Sequence, residues 1–459
     1  MNKALPAKND PKTIFSWCMY DWANSAYVTT VAVGLLPVYF SSVVVGSDGV
    51  TIGGTNYSAT ALWGFIVGAA ALVSFLLAPV LGAVADFTNA KKRFLLFFAY
   101  AGSLFTVLLY FSKAGDVWST MFFFFIAQVC FIAANVFYDA FLPQIATDDK
   151  MDMVSGKGFS YGYLGGGLQL ALAFGLVAVH DKVGISQTQA VRIGILGAGL
   201  WWAGFTLFTA KNLRDPYHEG TLPENSRKSN FTPAAYAAVG VSRLIQTTKR
   251  ARMFRHLVLF LFSYMLYNDG IQTVINMATI YGKDELKLST TILLVTLLII
   301  QAVASIGAVL FSKLAELTGT KKAVMVTLVL WSFIVIFAYF IKTTTQFFAI
   351  GIMVGIVLGG SQALSRSLYG SMIPEEASAE FYGFYTVFSK FSAIWGPFVF
   401  AIIRQTTGTA RNSILSIIIF FIVGLVLLYF VDEAKAREAK FSAVFNNKKE
   451  SDLTGIPNI

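Results

Sequence analysis

The stretch GAVADFTNAKKR, residues 82–93, occurs a second time in weaker form as SKLAELTGTKK, residues 312–322. Asp86 in the first copy and Glu316 in the second are separated by half of the 459-residue chain. Each copy places one acidic residue a few positions before a basic cluster. The sequence therefore predicts that the two halves of the chain follow one structural plan.

A second match between the halves supports this repeat. ANVFYDAFLPQIA, residues 134–146, aligns with SRSLYGSMIPEEA, residues 365–377, at nearly the same separation. Asn135 in the first segment corresponds to Arg366 in the second. In a membrane protein, a repeat of this size predicts two similar bundles that are related by an axis along the membrane normal.

The composition assigns the chain to the membrane proteins. It is 56% hydrophobic and only 13% charged, with a mean hydropathy of +0.64, whereas soluble domains carry about 25% charged residues. Apolar runs such as residues 61–85 and 413–431 reach the length that crosses a bilayer. Because only helices and closed barrels satisfy the backbone in lipid, these runs predict an all-α polytopic membrane protein.

Twelve spans follow from the apolar segments and the polar loops between them. They are predicted at roughly 15–40, 59–85, 93–112, 117–143, 158–180, 190–210, 256–281, 289–312, 322–341, 346–372, 381–403 and 412–432. The longest interruption, 211–255, is polar and basic, and it separates six spans from six.

The predicted organisation therefore has four parts. They are an N-terminal six-helix bundle at 1–210, a cytoplasmic linker at 211–255, a C-terminal six-helix bundle at 256–432 and a cytoplasmic tail at 433–459. The second half of the linker is interpreted either as a basic amphipathic helix on the cytoplasmic leaflet or as a solvated tether. Most Lys and Arg residues lie in loops on the side of the N-terminus, so both termini are expected to be cytoplasmic.

Several classes of function find no support in the residues. Cys18 and Cys130 both lie in apolar segments and suggest neither a disulfide framework nor a metal site. No phosphate-binding glycine motif occurs, so nucleotide hydrolysis is not expected. The net charge of +10 comes from basic loops beside the spans, which indicates orientation and not nucleic-acid binding. We therefore expect no enzyme, no cofactor and no metal, but a monomer in a lipid bilayer.

These motifs resemble a known superfamily. GAVADFTNAKKR is similar to the loop motif of the major facilitator superfamily, Gly-x-x-x-Asp followed by basic residues, between spans two and three. YDWANSAYVTTVAVGLLPVYF, residues 20–40, resembles the opening of the "unknown major facilitator" family, which includes autophagy-related vacuolar amino-acid effluxers. The resemblance implies twelve transmembrane helices in two pseudo-symmetric six-helix bundles. The second loop departs from the pattern, with Ser312 for the glycine and Glu316 for the aspartate.

The loop residues are predicted to control the conformation. Gly82 allows a neighbouring helix to approach closely, and Asp86 can accept N–H bonds at the start of another helix. The resemblance implies that this helix is span eleven, with Phe381 to Tyr385 as the contact. The basic residues are interpreted either as a clamp on the loop carboxylate or as ordinary positive-inside charges. The remaining predicted gating residues are Lys91, Lys92 and Arg93 and, in the second copy, Glu316, Lys321 and Lys322.

Ionisable residues inside the spans are expensive and indicate function. Asp139 in span four is predicted to pair with Arg366 or Lys390 as an inner gate that breaks when the cytoplasmic side opens. The alternative is a static buried pair that fixes helix register.

A solute or proton pathway is predicted along the equivalent spans one and seven. Carboxamides there can bind a polar solute, a carboxylate such as Asp21 or Asp269 can contact an amine or carry a proton, and Arg366 or Lys390 can bind a solute carboxylate. The predicted pathway residues are Asp21, Asn24, Asn135, Asn268, Asp269, Gln272, Asn276, Arg366 and Lys390.

The sequence is therefore interpreted as a secondary active transporter that moves a small polar solute by alternating access. An amino acid is one candidate solute, coupling to protons through Asp21, Asp139 or Asp269 is one candidate mechanism, and the resemblance suggests efflux. A drug or sugar permease of the same fold, and a non-transporting receptor or scaffold, stay open as alternatives. The expected location is the inner (plasma) membrane for a bacterial protein and the vacuolar membrane for a eukaryotic one.

Overall fold

The computed structural model of the chain describes residues 7–215 and 253–441. Within these residues the chain forms twelve long helices, α1 to α12, and a short β-hairpin. The first half contains α1 (Pro11–Val45), α2 (Ala59–Thr88), α3 (Lys91–Phe111), α4 (Val117–Ile145), α5 (Met151–Ala178) and α6 (Gln187–Asn212). The second half contains α7 (Arg255–Asp284), α8 (Thr290–Thr318), α9 (Thr320–Phe340), α10 (Thr344–Met372), α11 (Glu375–Thr407) and α12 (Ala410–Tyr429).

The predicted all-α polytopic fold is confirmed. Eleven of the twelve described helices are long and apolar enough to cross a membrane. The exception is α7, which has 30 residues and therefore sufficient length. Its lower apolarity follows from the polar run that includes Asn268, Asp269 and Gln272 in its middle. The twelve predicted spans thus coincide with twelve helices, most of them longer than predicted.

Two predicted regions fall largely outside the description. The amphipathic helix predicted in the linker lies mostly on residues 216–252, outside the described residues. The last part of the predicted tail, 442–459, is also outside them, while residues 433–441 are helical.

Polar residues with short side chains fix several helix starts. The Asp10 carboxylate accepts the backbone N–H of Thr13 at 2.8 Å at the start of α1. Ser58 accepts the N–H of Ala61 at the start of α2. At α10, Thr343 and Gln346 cap each other reciprocally. Such caps satisfy N–H groups that have no partner inside the helix, so they set where each helix begins.

The polar insertion between α1 and α2 contains the hairpin. Strands β1 (Val50–Ile52) and β2 (Thr55–Tyr57) pair antiparallel. The turn consists of Gly53 and Gly54, both with positive φ, as a two-residue hairpin turn requires.

Helix α11 is interrupted in its middle. It runs as two segments, Ser378–Phe391 and Trp395–Thr407, with turns at residues 392–394. Pro397 explains the break, because proline has no N–H to donate and its ring clashes with the carbonyl four residues earlier. The break exposes backbone polar groups in mid-span, which membrane proteins tolerate only where protein or water covers them.

The repeat is visible in how the halves pack. Helix α2 packs against α11, and the equivalent α8 packs against α5. A Cβ atom at Gly82 would overlap the carbonyl oxygen of Ala379, and one at Gly156 would overlap the Ser312 hydroxyl. Glycine at these two positions therefore lets the halves approach closely.

Both ends of the described chain lie on one side of the helices, here called the terminus side. Asn9 donates its backbone N–H to Ile145 at 2.7 Å, and Lys440 lies 3.7 Å from Asp148 on the next loop. The opposite side carries the hairpin and is called the hairpin side.

Candidate functional site

A cavity of about 530 Å³ lies between the two halves. Helices α1, α4 and α5 line it from the first half, and α7 to α12 line it from the second. Its deep end contains Asp21, Asp139 and Arg366, and its lining reaches Tyr281 and Leu293 near the hairpin-side ends of α7 and α8. The cavity therefore extends from the terminus-side part of the helices toward the hairpin side.

Charged residues from three helices meet at the deep end. Arg366 on α10 places Nη1 3.1 Å from Asp139 Oδ1 on α4 and 3.4 Å from Asp21 Oδ2 on α1. The Arg366 side chain is only 3% exposed, while Asp21 and Asp139 are 13% and 17% exposed. This group, here called the charge triad, connects the second half to two helices of the first half.

The other two nitrogens of the Arg366 guanidinium also donate hydrogen bonds. Its Nε donates to the Ser155 hydroxyl at 3.0 Å, and its Nη2 donates to the Ser155 carbonyl at 2.9 Å. Trp17 and Phe159 place their rings 4.8 Å and 4.1 Å from the guanidinium carbon. Hydrogen bonds and cation–π contacts of this kind hold a desolvated arginine in one orientation.

Tyrosine and asparagine extend the triad along the first half. Tyr138 donates its hydroxyl to Asp21 Oδ2 at 2.9 Å. Asn24 donates to Asn135 Oδ1 at 2.6 Å, and both line the cavity. Asn135 is therefore paired within its own half, although its repeat equivalent is Arg366.

Lys390 lines the cavity but is not the partner of Asp139. It lies in the last turn of the first α11 segment, directly before the break. Among the described residues, no carboxylate oxygen lies within 4.0 Å of its Nζ. Of the two cations predicted to pair with Asp139, the structure thus brings Arg366 to it and leaves Lys390 on the cavity wall.

The polar run of α7 divides between two places. Asn268, Gln272 and Asn276 line the cavity, and Asn268 also donates to the Ser392 hydroxyl at the α11 break. Asp269 is not on the cavity wall. Its two oxygens accept the backbone N–H groups of Gly396 at 2.8 Å and Trp395 at 3.1 Å.

Asp269 therefore caps the second segment of α11 and does not line the cavity, so its place on a solute or proton pathway stays a prediction. A Cβ atom at Gly396 would overlap the Thr273 hydroxyl and crowd the Asp269 carboxylate. Close approach of the two helices is what brings the carboxylate onto the interrupted helix end.

On the terminus side, Asp86 also accepts N–H groups at the start of an α11 segment, and this contact joins the two halves. Its Oδ2 accepts the N–H of Glu380 at 2.8 Å, and its Oδ1 accepts that of Ala379 at 3.3 Å. Lys91 lies 2.7 Å from Asp86 Oδ1 and also donates to the Ser378 hydroxyl at 2.8 Å. The side chains of both residues are at most 3% exposed. The contact is at the first turn of the first α11 segment, just before the predicted 381–385.

The other two basic residues of this loop act elsewhere. The backbone N–H of Lys92 donates to Asp215 Oδ1 at 2.6 Å, and the charge of Arg93 also acts on that carboxylate. Burial raises the pKa of Asp215, against the opposing effects of the Lys92 N–H and the basic loop. Among the described residues, Lys91 is thus the member of the basic cluster that forms an ion pair with Asp86, while the Lys92 backbone bonds Asp215.

The second copy of the loop has a different arrangement. Glu316 lies 3.6 Å from Lys150, and Lys150 is 54% exposed. Lys321 donates to the carbonyls of Tyr429 and Val431 at the end of α12. Lys322 is exposed.

The place that corresponds to the Asp86 contact is occupied by Asp152 on α5. Asp152 Oδ2 accepts the Thr320 hydroxyl at 2.7 Å, and Oδ1 accepts the Ser367 hydroxyl at 2.5 Å. Both donors are neutral and belong to the second half.

Sequence reasoning missed several contacts. Ser155, Trp17 and Phe159 around Arg366 carry no signal of their own, since serine and aromatic residues are common in spans. Lys8 pairs with Glu375 at 2.6 Å and gives a further contact between the halves. The sequence indicates Lys8 only as one of the basic residues in the N-terminal tail.

Comparisons with known proteins find a matching family model and similar chains. The family model described as "Vacuole effluxer Atg22 like" matches residues 9–440. The "Uncharacterized MFS-type transporter YxiO" of Bacillus subtilis (strain 168) is 34% identical over 423 residues, covering 91% of this chain and 94% of that protein. "Autophagy-related protein 22" of Kluyveromyces lactis is 27% identical over 374 residues, covering 76% and 75%.

A solved structure shares the fold. The proton:xylose symporter XylE, a major facilitator superfamily protein bound to 6-bromo-6-deoxy-D-glucose, superimposes with a TM-score of 0.64 at 14% identity. The match covers 95% of this chain and 98% of that one.

Proposed function

The chain belongs to the Atg22-like vacuole effluxer family, whose relatives are transporters of the major facilitator superfamily, and on this premise we propose that it moves a small zwitterionic solute, an amino acid, by alternating access. The two halves, 1–210 and 256–432, pivot about the cavity between them. Coupling to protons and net efflux complete the proposal. The termini and the linker face the cytoplasm.

One observation carries this proposal. The cavity is built from both halves and holds carboxylates, a guanidinium, an ammonium and several carboxamides among the membrane-spanning helices. Buried charge in a membrane span is costly, about 2.5–3.5 kcal/mol per residue on insertion scales. Charges of both signs in one cavity therefore indicate a polar ligand that compensates them.

The contacts on the terminus side supply the gate. Asp86 with Ala379 and Glu380, Lys8 with Glu375, and Arg366 with Asp139 all join the first half to the second. Each of them must break if the terminus side opens. Opening is favoured when a ligand or a proton binds that state better, since a ligand shifts an equilibrium only by its differential affinity.

The charge triad also supports proton coupling. It contains two carboxylates and one guanidinium, so it carries one surplus negative charge when both acids are ionised. A proton on Asp21 or Asp139 neutralises that surplus and weakens the attachment of Arg366 to the first half. Protonation therefore favours separation of the halves at this point.

Transport by the purified full chain in liposomes tests the proposal. Uptake of separate radiolabelled mixtures of amino acids, sugars and organic anions is measured with and without a proton gradient. We expect uptake of amino acids only, accelerated by the gradient and abolished in Arg366→Ala. The control, Lys342→Met, removes an exposed lysine on the hairpin side and keeps full uptake.

Other results would redirect the assignment. Uptake of sugars alone would make the protein a sugar permease of the same fold. No uptake of any mixture by a correctly folded protein would favour the receptor or scaffold alternative.

A further inference from the structure

Lys390 is a cation on the cavity wall that the contacts described so far do not use. It is half-buried and lies at the C-terminal end of the first α11 segment. The carbonyls at a helix end carry partial negative charge, so they stabilise an ammonium in this position. A lysine in mid-span is costly, and in membrane proteins such residues face a cavity and belong to a ligand or ion pathway.

The described carboxylates of this region already have other partners. Asp21 and Asp139 lie against Arg366, and Asp269 accepts two backbone N–H groups of α11. Among the described residues, no oxygen is placed to accept a hydrogen bond from Lys390. Its ammonium therefore faces the cavity with its donors available.

Unlike Lys390, Arg366 already uses its guanidinium nitrogens as hydrogen-bond donors. Its Nε, Nη1 and Nη2 atoms all donate to Ser155 or to the carboxylates of the triad. Aromatic rings cover its face at 4.1 Å and 4.8 Å. An incoming carboxylate would have to displace these partners, so Arg366 is poorly placed to bind solute in this conformation.

The charges of the cavity are thus separated into two poles. When both acids are ionised, the triad has one surplus negative charge. A protonated Lys390 supplies one positive charge on the cavity wall, and no carboxylate among the described residues lies beside it. A zwitterion has the complementary pattern, with an ammonium and a carboxylate at opposite ends. Electrostatic complementarity of this kind selects both the ligand and its orientation.

We propose that Lys390 binds the carboxylate of the solute while Arg366 holds the two halves together. The solute ammonium then points toward Asp139 and Asp21. This inference rests on the proposed function, because it assigns the orientation of a zwitterion in the same cavity. It makes Lys390 the residue that distinguishes an amino acid from an amine.

Ligand binding without transport tests the assignment. The purified full chain is titrated with a mixture of the common amino acids and, separately, with the same amino acids as α-carboxamides, which keep the amine but have no carboxylate. Binding is followed by the shift in thermal unfolding. Variants Lys390→Met and Lys390→Arg are compared with wild type, and Lys342→Met is the control for removing a lysine.

The proposal predicts a specific pattern. Wild type binds the amino acids at least tenfold more tightly than the carboxamides, the size expected for a charge-assisted hydrogen bond. Lys390→Met weakens amino-acid binding about tenfold and leaves carboxamide binding unchanged. Lys390→Arg restores most of the difference, and Lys342→Met behaves as wild type.

The failures can be told apart. If wild type binds neither set, the proposed function is wrong. If wild type binds the amino acids and Lys390→Met binds them equally well, the function stands and the assignment of Lys390 is overturned. Equal loss of both sets in Lys390→Met would also overturn it, because the lysine would then shape the cavity without recognising the carboxylate.

Discussion

The two copies of the acidic–basic loop share a sequence pattern and make different contacts. In the first copy, Asp86 is buried, pairs with Lys91 and caps the first turn of α11 in the other half. In the second copy, Glu316 is partly exposed and lies 3.6 Å from Lys150.

The difference follows from the helix that each loop meets. At the first turn of the first α11 segment, the N–H groups of Ala379 and Glu380 donate to the incoming carboxylate. The first turn of α5 contains Asp152, whose carboxylate is already satisfied by Thr320 and Ser367 and would repel a second acid. A repeated motif therefore does not guarantee a repeated contact, since the receiving surface decides.

The ion pairs of the two loops are also expected to contribute different free energies. Breaking a buried ion pair by removing one partner costs about 3–5 kcal/mol, whereas exposed pairs contribute about 0–1 kcal/mol. We therefore attribute to Asp86 most of the free energy by which these loops hold the terminus side closed, and little of it to Glu316.

The largest effect is expected for Asp86→Asn. The variant leaves Lys91 buried without its carboxylate and weakens the cap on α11. Amide hydrogen exchange in peptides covering residues 378–385 should become more than a hundredfold faster, because about 3 kcal/mol corresponds to that ratio. Unchanged exchange there would show that Asp86 does not hold the contact.

A smaller effect is expected for Asp139→Asn at the charge triad. Arg366 keeps Asp21 and Ser155, so only one charge-assisted contact is lost, and the open terminus side should gain about tenfold in population. A cysteine placed at buried Leu142, in a chain without Cys18 and Cys130, reports this opening to a membrane-impermeant maleimide. Labelling at the wild-type rate would favour the static buried pair.

The variant Asp269→Asn weakens a helix cap that lies within one half. It can be compared with Asp86→Asn, which weakens a cap between the two halves. Asp269 and Asp86 both accept N–H groups at a start of an α11 segment, but Asp269 belongs to the same half as α11. The variant should lower the unfolding temperature by several degrees and leave exchange at 378–385 unchanged. Faster exchange there would mean that the two segments of α11 move as one unit.

The smallest effect is expected for Glu316→Gln. Its pair with Lys150 is exposed, so exchange in peptides covering residues 151–156 should rise less than about fivefold. A rise as large as that at 378–385 in Asp86→Asn would remove the asymmetry between the two loops.

The sequence predicts the fold well because apolar length and loop charge are local properties. The contact of Asp86 with α11 could also be predicted, since a carboxylate at this position can accept N–H groups at a helix start and the resemblance implies that this helix is span eleven. Its position was one turn off because the start of α11 depends on Ser378 and the turn before it, which carry no clear signal.

The contacts inside the site are harder to predict from the sequence. Whether Arg366 or Lys390 meets Asp139 depends on distances between helices that spacing along the chain does not contain. Asp269 could have been read as a cap only by treating the Gly396–Pro397 dipeptide as a break in α11. That dipeptide was the available signal, because proline interrupts a helix about one turn before it.

The central claim is that the two halves pivot about the cavity, with Asp86 holding the terminus side closed. Distances between pairs of spin labels, measured by electron paramagnetic resonance, test it directly. One pair is placed at the exposed residues Asp149 and Leu317 on the terminus side. A second pair is placed at the exposed residues Ala114 and Lys342 on the hairpin side. We expect Asp86→Asn to lengthen the first distance and shorten the second in the same molecules. Distances that stay fixed on both sides, or that lengthen together, would contradict the pivot.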